Sequence, residues 1–152
     1  MQYLVDTGVW LRLFDRTDSV HADIHAALRL LRAGGHTLAV CPQNIAEFWN
    51  VSTRPATARG GYGKTVATTE RRVQFIERFA AVLDESPAAY RQWRLLLTQH
   101  QIQGAAVHDA RLVALMQTAG IAHILTLNAN DFARYTTVIV TTPGEVAASS
   151  KP

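Results

Sequence analysis

The sequence predicts an α/β fold, a mainly parallel sheet covered by helices on both faces. Three observations lead there. Short apolar, β-prone runs alternate with stretches of helical period along the chain. The stretch from Gly104 to Phe132 reads as a helix, then a strand, then a polar cluster at the strand's C-terminal edge. A carboxylate, Asp6, ends the first apolar run, and in open α/β sheets that edge is where ligands bind. At 152 residues a single domain is expected, over 1–146, with 147–152 as a frayed tail.

Each element has its own reason. Gln2 to Val5 is a short apolar run before Asp6-Thr7-Gly8 and reads as a central strand. Val9 to Phe14 continues as a turn or two of helix. After a polar loop at Asp15 to Asp18, Ala22 to Ala33 places Ile24, Leu28 and Leu31 on one face and stops at Gly34-Gly35. Thr37 to Cys41 is a second apolar run. Pro42 suits the first position of the next helix, which carries Ile45, Phe48, Trp49 and Ser52 on one face and Glu47 towards its border. Arg54 to Thr65 is a Gly-rich basic loop.

Thr68 to Val82 then reads as a helix, with a short strand at Val82 to Asp84. Ser86 caps a further helix, with Pro87 at its first position, running to about His100. In the following helix Ala105, Leu112, Val113 and Met116 share a face. Asp109 sits in the middle of that stripe, where an unpaired carboxylate is costly. Gly120 ends the helix as its C′ residue. Ile121 to Leu127 is a strand, and Thr137 to Thr141 is the last one, closed by Pro143-Gly144.

Composition narrows the class. A hydrophobic share of 48% fits an ordinary globular protein. No apolar run is long enough for a membrane span, and no basic segment leads into a secretory core, so neither membrane nor export is expected. The single Cys41 rules out an internal disulfide and suits the cytoplasm. A net charge of +3 permits a polyanionic partner such as RNA without demanding one.

Several familiar motifs fail on inspection. Asp6-Thr7-Gly8 has the letters of an aspartic protease, but a helical pattern follows at once in place of an all-β fold. A haloacid-dehalogenase nucleophile would need Asp or Thr where Gly8 stands. Gly63-Lys64-Thr65 ends like a P-loop, yet Ala58 occupies the first glycine position and no strand precedes the loop. That loop therefore gives no support to a phosphotransferase. His21 and His25 have the spacing of a metal pair but lack a third ligand.

Four carboxylates remain in informative places: Asp6 at a strand end, Glu47 on a helix, Asp109 near a helix start and Asp131 after a strand. Crowded carboxylates repel and raise one another's pKa. A hard divalent cation such as Mg²⁺ or Mn²⁺, which prefers oxygen ligands, removes that conflict. Plainer roles exist for each: an Asx-turn for Asp6, a polar helix border for Glu47, a favourable helix-dipole partner for Asp109 and a helix cap for Asp131.

Taken together, Tyr3-Leu4-Val5-Asp6-Thr7, Asn44-Ile45-Ala46-Glu47-Phe48, Val107-His108-Asp109-Ala110-Arg111-Leu112, and Leu125-Thr126-Leu127-Asn128 leading to Asp131-Phe132 resemble the PIN-domain family, and within it the VapC-type toxins. The resemblance implies a three-layer α/β/α sandwich on a five-stranded sheet. It implies a metal-dependent endoribonuclease using Mg²⁺ or Mn²⁺, a homodimer, and a small antitoxin protein as partner. The family's acids map onto Asp6, Glu47 and Asp109, with Asp131 as the fourth. Thr7, Thr126 and Asn128 are auxiliary groups. Asn128 stands where many relatives carry the acid, and Gly8 where they often carry Asn or Ser. Arg54, Arg59, Lys64, Arg111 and Arg134 are candidate phosphate contacts, and Tyr62 a candidate for stacking on a base. Trp10, Leu13, Phe14 and Trp49 are candidates for an apolar surface facing the antitoxin. The alternatives are a non-catalytic PIN-like module that binds RNA or protein, and a stand-alone PIN nuclease.

Overall fold

The computed structural model describes residues 1–149. Five strands, β1 (Gln2–Val5), β2 (Thr37–Val40), β3 (Ala81–Val82), β4 (His123–Leu125) and β5 (Ile139–Thr141), form one sheet in the order β3-β2-β1-β4-β5. Every neighbouring pair is parallel, and Leu4 of the central strand registers with Ala39 on one side and Ile124 on the other. The connections are α1 (Thr7–Leu13), α2 (His21–Ala33), α3 (Pro42–Thr53), α4 (Val66–Phe79), α5 (Pro87–Gln99), α6 (Ala106–Thr118) and the short α7 (Ala129–Phe132), with α8 (Pro143–Ala148) last.

Side chains alternate across the sheet, and this divides the core in two. Leu4, Ala39 and Ile124 face one way and pack with Leu96 of α5 and Ala110, Val113 and Met116 of α6. Tyr3, Val5, Leu38, Val40 and Leu125 face the other way and meet Trp10, Ile24, Leu28, Val73 and Ile76 from α1, α2 and α4. The result is the expected α/β/α sandwich. Trp10 is 0% exposed and belongs to this core, so it is not part of an outward-facing surface.

α6 ends as its sequence requires. Gly120 has φ +70°, Ile121 N–H bonds the Met116 carbonyl at 2.8 Å, and Gly120 N–H bonds that of Gln117 at 3.3 Å. These are the two bonds of a Schellman motif. Gly120→Ala puts a Cβ in the left-handed region and is expected to cost about 1 kcal/mol. A thermal melt should show Tm lower by roughly 2–4 °C. An unchanged Tm would show that the cap relaxes without cost.

Two boundaries differ from the sequence reading. The helix expected to reach Val82 stops at Phe79, because Ala80 turns extended (φ −128°, ψ 146°). Ala81 and Val82 then pair with Ala39 and Val40, and Leu83 N–H bonds the Val40 carbonyl at 2.8 Å. Strand pairing at the sheet edge overrides the strong helical preference of the alanines, a tertiary contact outweighing local propensity. The expected tail starts too early as well, since Ala147 and Ala148 lie in α8. Thr142 and Glu145 form a capping box: Glu145 N–H donates to Thr142 Oγ1 at 3.3 Å, and Thr142 N–H donates to Glu145 Oε2 at 2.7 Å. The helix packs against α2 and buries Ala147. Residues 150–152 of the expected tail lie outside the described residues. No helix among the described residues is long and apolar enough to cross a membrane.

Candidate active site

The four carboxylates come from separate parts of the chain and meet at the C-terminal edge of the sheet. Asp6 follows β1 directly and caps α1, its Oδ1 accepting Thr7 N–H at 2.7 Å. Its own N–H bonds the Leu125 carbonyl at 3.0 Å, extending the pairing of β1 with β4 by one residue. Its Oδ2 accepts the Thr126 hydroxyl at 2.7 Å. Thr126 is 0% exposed, and its Oγ1 also accepts Asn128 N–H at 3.0 Å. One buried hydroxyl thus holds both the first acid and the loop that leads to Asp131.

Glu47 is held from two sides. Its Oε2 accepts the Thr7 hydroxyl at 2.9 Å, and its Oε1 accepts Gln43 Nε2 at 3.0 Å. Thr7 is fixed in turn by Asn44 Nδ2 at 3.2 Å. Asn44 is buried; its Oδ1 accepts both the N–H and the thiol of Cys41 at 3.1 Å, so the start of α3 is rigid. Gln43 Nε2 also donates to the His108 carbonyl at 3.0 Å, which ties α3 to the first turn of α6. Sequence reasoning did not single out Gln43 or Asn44 as positioning groups. The available signal was two polar residues directly after Cys41-Pro42, at the end of a buried strand.

Asp109 lies in the first turn of α6. It is half-buried at the mouth of the site and not midway along an apolar stripe. Burial is nearly continuous from Ala110 to Met116, and the helix begins at Ala106, so Ala105 stays exposed. Burial pushes the Asp109 carboxyl up to about 6, with the charges of Asp131, Asp6 and Glu47 adding to the rise. Burial also raises Asp6, against the hydrogen bonds from Thr126 and Thr7; Glu47 and Asp131 push it further. The four acids therefore share one electrostatic neighbourhood. Asp131 is exposed on α7, and Asn128 is exposed just before it. Among the described residues no three His, Cys, Asp or Glu side chains are set to hold one ion directly between them.

The expected phosphate contacts divide. Arg134 follows α7, and Tyr135 feels both its charge and that of Asp109. The loop with Arg54, Arg59 and Lys64 folds back on the C-terminal end of α3, through Tyr62 N–H to the Val51 carbonyl and Lys64 N–H to that of Ser52. It does not join the carboxylate network. Tyr62 senses Arg12, Asp15 and Asp18, beside the end of α1. Arg111 is held by Glu85 at 2.7 and 2.8 Å.

A family model for the PIN domain matches residues 3–137. The chain belongs to the PIN-domain family. No curated protein matches it. Among solved structures, this PIN domain is similar to VapBC2 from Rickettsia felis bound to a promoter DNA fragment, with a TM-score of 0.67 and 16% identity over 93% of this chain and 98% of that one. It is also similar to a toxin–antitoxin complex from Klebsiella pneumoniae (TM-score 0.63, 18% identity, 93% and 97% covered). A third is Mycobacterium tuberculosis VapC20, a Sarcin-Ricin loop cleaving toxin (TM-score 0.53, 17% identity, 80% and 86% covered). At these identities the likeness is one of fold. Within the PIN domain, Gly8 leaves room beside the site that a cation fills. A Cβ there would stand 3.4 Å from a guanidinium nitrogen of Arg12, which donates to the Gly8 carbonyl at 3.3 Å and pairs with Asp18 at 3.2 Å. Sequence reasoning missed Arg12, although it lies one helical turn from Gly8.

Proposed function

We propose that this PIN domain is a metal-dependent endoribonuclease and the toxin of a toxin–antitoxin pair. One observation carries the reading: four carboxylates converge at the sheet edge, and the two innermost are oriented by neutral donors while all remain open to charge compensation. The donor set fits a hard divalent cation, Mg²⁺ or Mn²⁺. It is all carboxylate oxygen, and Asp6 and Asp109 are raised by burial and then by the charges of the neighbouring acids. Such ions keep several waters, which suits a site where few acids can reach one ion directly.

In this reading Asp6, Asp109 and Asp131 hold the ion, directly or through water. When bound, it supplies a water of lowered pKa and polarises a phosphoryl oxygen. Glu47, fixed by Thr7 and Gln43, orients the attacking water or helps hold a second ion. Thr126 keeps the Asp6 carboxylate aimed, and its bond opposes the rise in pKa that burial imposes. Arg134 and Arg12 are the cations best placed for backbone phosphates, which give affinity without sequence choice.

The solved neighbours include VapBC pairs, and the fold here has a surface that suits an antitoxin. α1, α2 and α4 leave an apolar groove floored by Leu13, Leu28, Phe75 and Phe79, with Arg29 and Arg32 beside it. Phe75 is 41% exposed. An amphipathic, acidic segment matches that combination. A cytoplasmic location and a homodimer belong to the same proposal, and sedimentation decides the latter.

The test is incubation of the purified protein with a labelled structured RNA pool in Mg²⁺, in Mn²⁺ and in EDTA. Cleavage is expected with metal and absent in EDTA. Cleavage that persists in EDTA would overturn metal-dependent chemistry. Metal-dependent stabilisation without cleavage would favour the non-catalytic module.

A further inference from the structure

Between α5 and α6 lies a cavity of about 110 Å³, lined in part by Arg111, two residues along α6 from Asp109. Its walls are Tyr90 and Trp93, its floor Ala89 and Leu115, and its polar rim Glu85 and Arg111. The two rings meet edge to face, with centroids 6.1 Å apart and planes at 65°, so they form a corner. Trp93 is fixed by its indole N–H, which donates to the Val107 carbonyl at 3.0 Å. Arg111 lies over the Trp93 ring, 6.0 Å from its centroid. One guanidinium nitrogen bonds both oxygens of Glu85. The other two nitrogens of the group, and the remaining lone pairs of the carboxylate, are left side by side at the rim.

The cavity is coupled to the acids through one turn of helix. The Val107 carbonyl faces Trp93, and the next carbonyl, that of His108, accepts from Gln43, which also holds Glu47. Asp109 is the residue after that. Trp93 and Gln43 thus hold successive carbonyls at the start of α6, which sets one wall of the cavity a single residue from the group that holds Glu47.

Resting on the nuclease reading, we propose that the α5–α6 cavity seats one unpaired base of the RNA beside the cleaved bond and sets a base preference there. Aromatic walls take the face of any base. The rim adds what stacking lacks, an acceptor next to a donor. Glu85 accepts from an exocyclic amine such as that of cytosine, and Arg111 donates to the ring nitrogen or carbonyl next to it. The pairing of Arg111 with Glu85 keeps both groups pre-aimed while empty of ligand. The apolar floor excludes phosphate, so this is a seat for a base and not for a backbone charge.

Fluorescent single-stranded hexamers of C, U, A and G are titrated into the protein in EDTA, where no cleavage intervenes, and then offered with Mg²⁺. Wild type, Glu85→Gln and Tyr90→Ala are compared. Glu85→Gln keeps the shape of the rim, and Tyr90 is 56% exposed, so both variants should fold. Wild type is expected to bind one hexamer about tenfold tighter than the worst, and to cleave it faster. Glu85→Gln should flatten that difference, and Tyr90→Ala should weaken binding of all four by roughly five- to tenfold. Discrimination unchanged in both variants overturns the proposal while leaving cleavage intact. Discrimination lost in Glu85→Gln, but no cleavage in metal, keeps the base seat and overturns the nuclease reading. A wild type that neither binds nor cleaves overturns both. A change of sedimentation mass in Tyr90→Ala with discrimination unaltered overturns the proposal in favour of a contact between copies.

Discussion

Asp109→Asn is expected to abolish metal-dependent cleavage and, in the same sample, to raise Tm in EDTA. The two effects have one origin. Burial at the mouth of the site, with the charges of Asp131, Asp6 and Glu47 added, pushes the Asp109 carboxyl up to about 6. At neutral pH it is nonetheless ionised, and its folded-state pKa stands above the ordinary aspartate value of 3.8. Between those two values the folded state binds more protons than the unfolded one, so stability falls as pH rises through that window. Above it the penalty is complete; below it the penalty is absent. A shift of this size corresponds to roughly 3 kcal/mol, reduced to about 1–2 kcal/mol by solvent screening at the mouth of the site. Asparagine removes the charge at nearly constant shape, so Tm in EDTA at pH 7.5 should rise by roughly 2–6 °C. Wild type should gain the same amount on acidification towards pH 4.5, and the variant less. On the proposed reading, in which Asp109 holds the ion directly or through water, cleavage should drop by at least about 100-fold. Equal cleavage by both proteins would place the chemistry elsewhere; an unchanged or lower Tm would mean that the acids are not in repulsion.

Thr126→Val should have the second largest effect. Valine fits the volume but loses the bond to Asp6 Oδ2 and leaves Asn128 N–H without its acceptor. Thr126 is fully buried, so the orphaned group costs about 1–3 kcal/mol. The Thr126 bond lowers the Asp6 pKa; without it the carboxylate ionises at higher pH. The acid limb of the pH–rate profile should therefore move upward, with cleavage reduced about 10- to 100-fold at neutral pH. Thr126→Ser should restore most of both. A rate loss without movement of the limb would mean that Thr126 supports the loop and does not tune Asp6.

The sheet and its acidic edge were legible because both rest on short-range pattern. Tyr3, Leu4 and Val5 of the first strand form an unbroken buried run, as a strand covered on both faces requires, and a carboxylate at its end has few structural reasons to be there. What escaped was long-range. Gln43 and Asn44 sit at ordinary helix positions; Glu47 is one turn along the same helix from Gln43, but only the folded chain brings Thr7 to Asn44 and the His108 carbonyl to Gln43. The break at Ala80 follows from the edge of β2 waiting beside it, which no propensity of Ala80 encodes. Arg111 reads in sequence as a free cation two residues from Asp109. In the fold it points along the other side of α6 to Glu85.

The bond between Asp6 and Thr126 joins residues 120 positions apart, and that separation acts as a clock. On the ribosome β1 emerges early, yet it is the middle strand and gains its second neighbour only when β4 arrives. Until then Asp6 lacks its hydroxyl partner, and Asp131 has not yet been made. A nascent chain that stops short of Asp131 cannot assemble the carboxylate set, and a transcript broken before the codons for β4 yields a product without it.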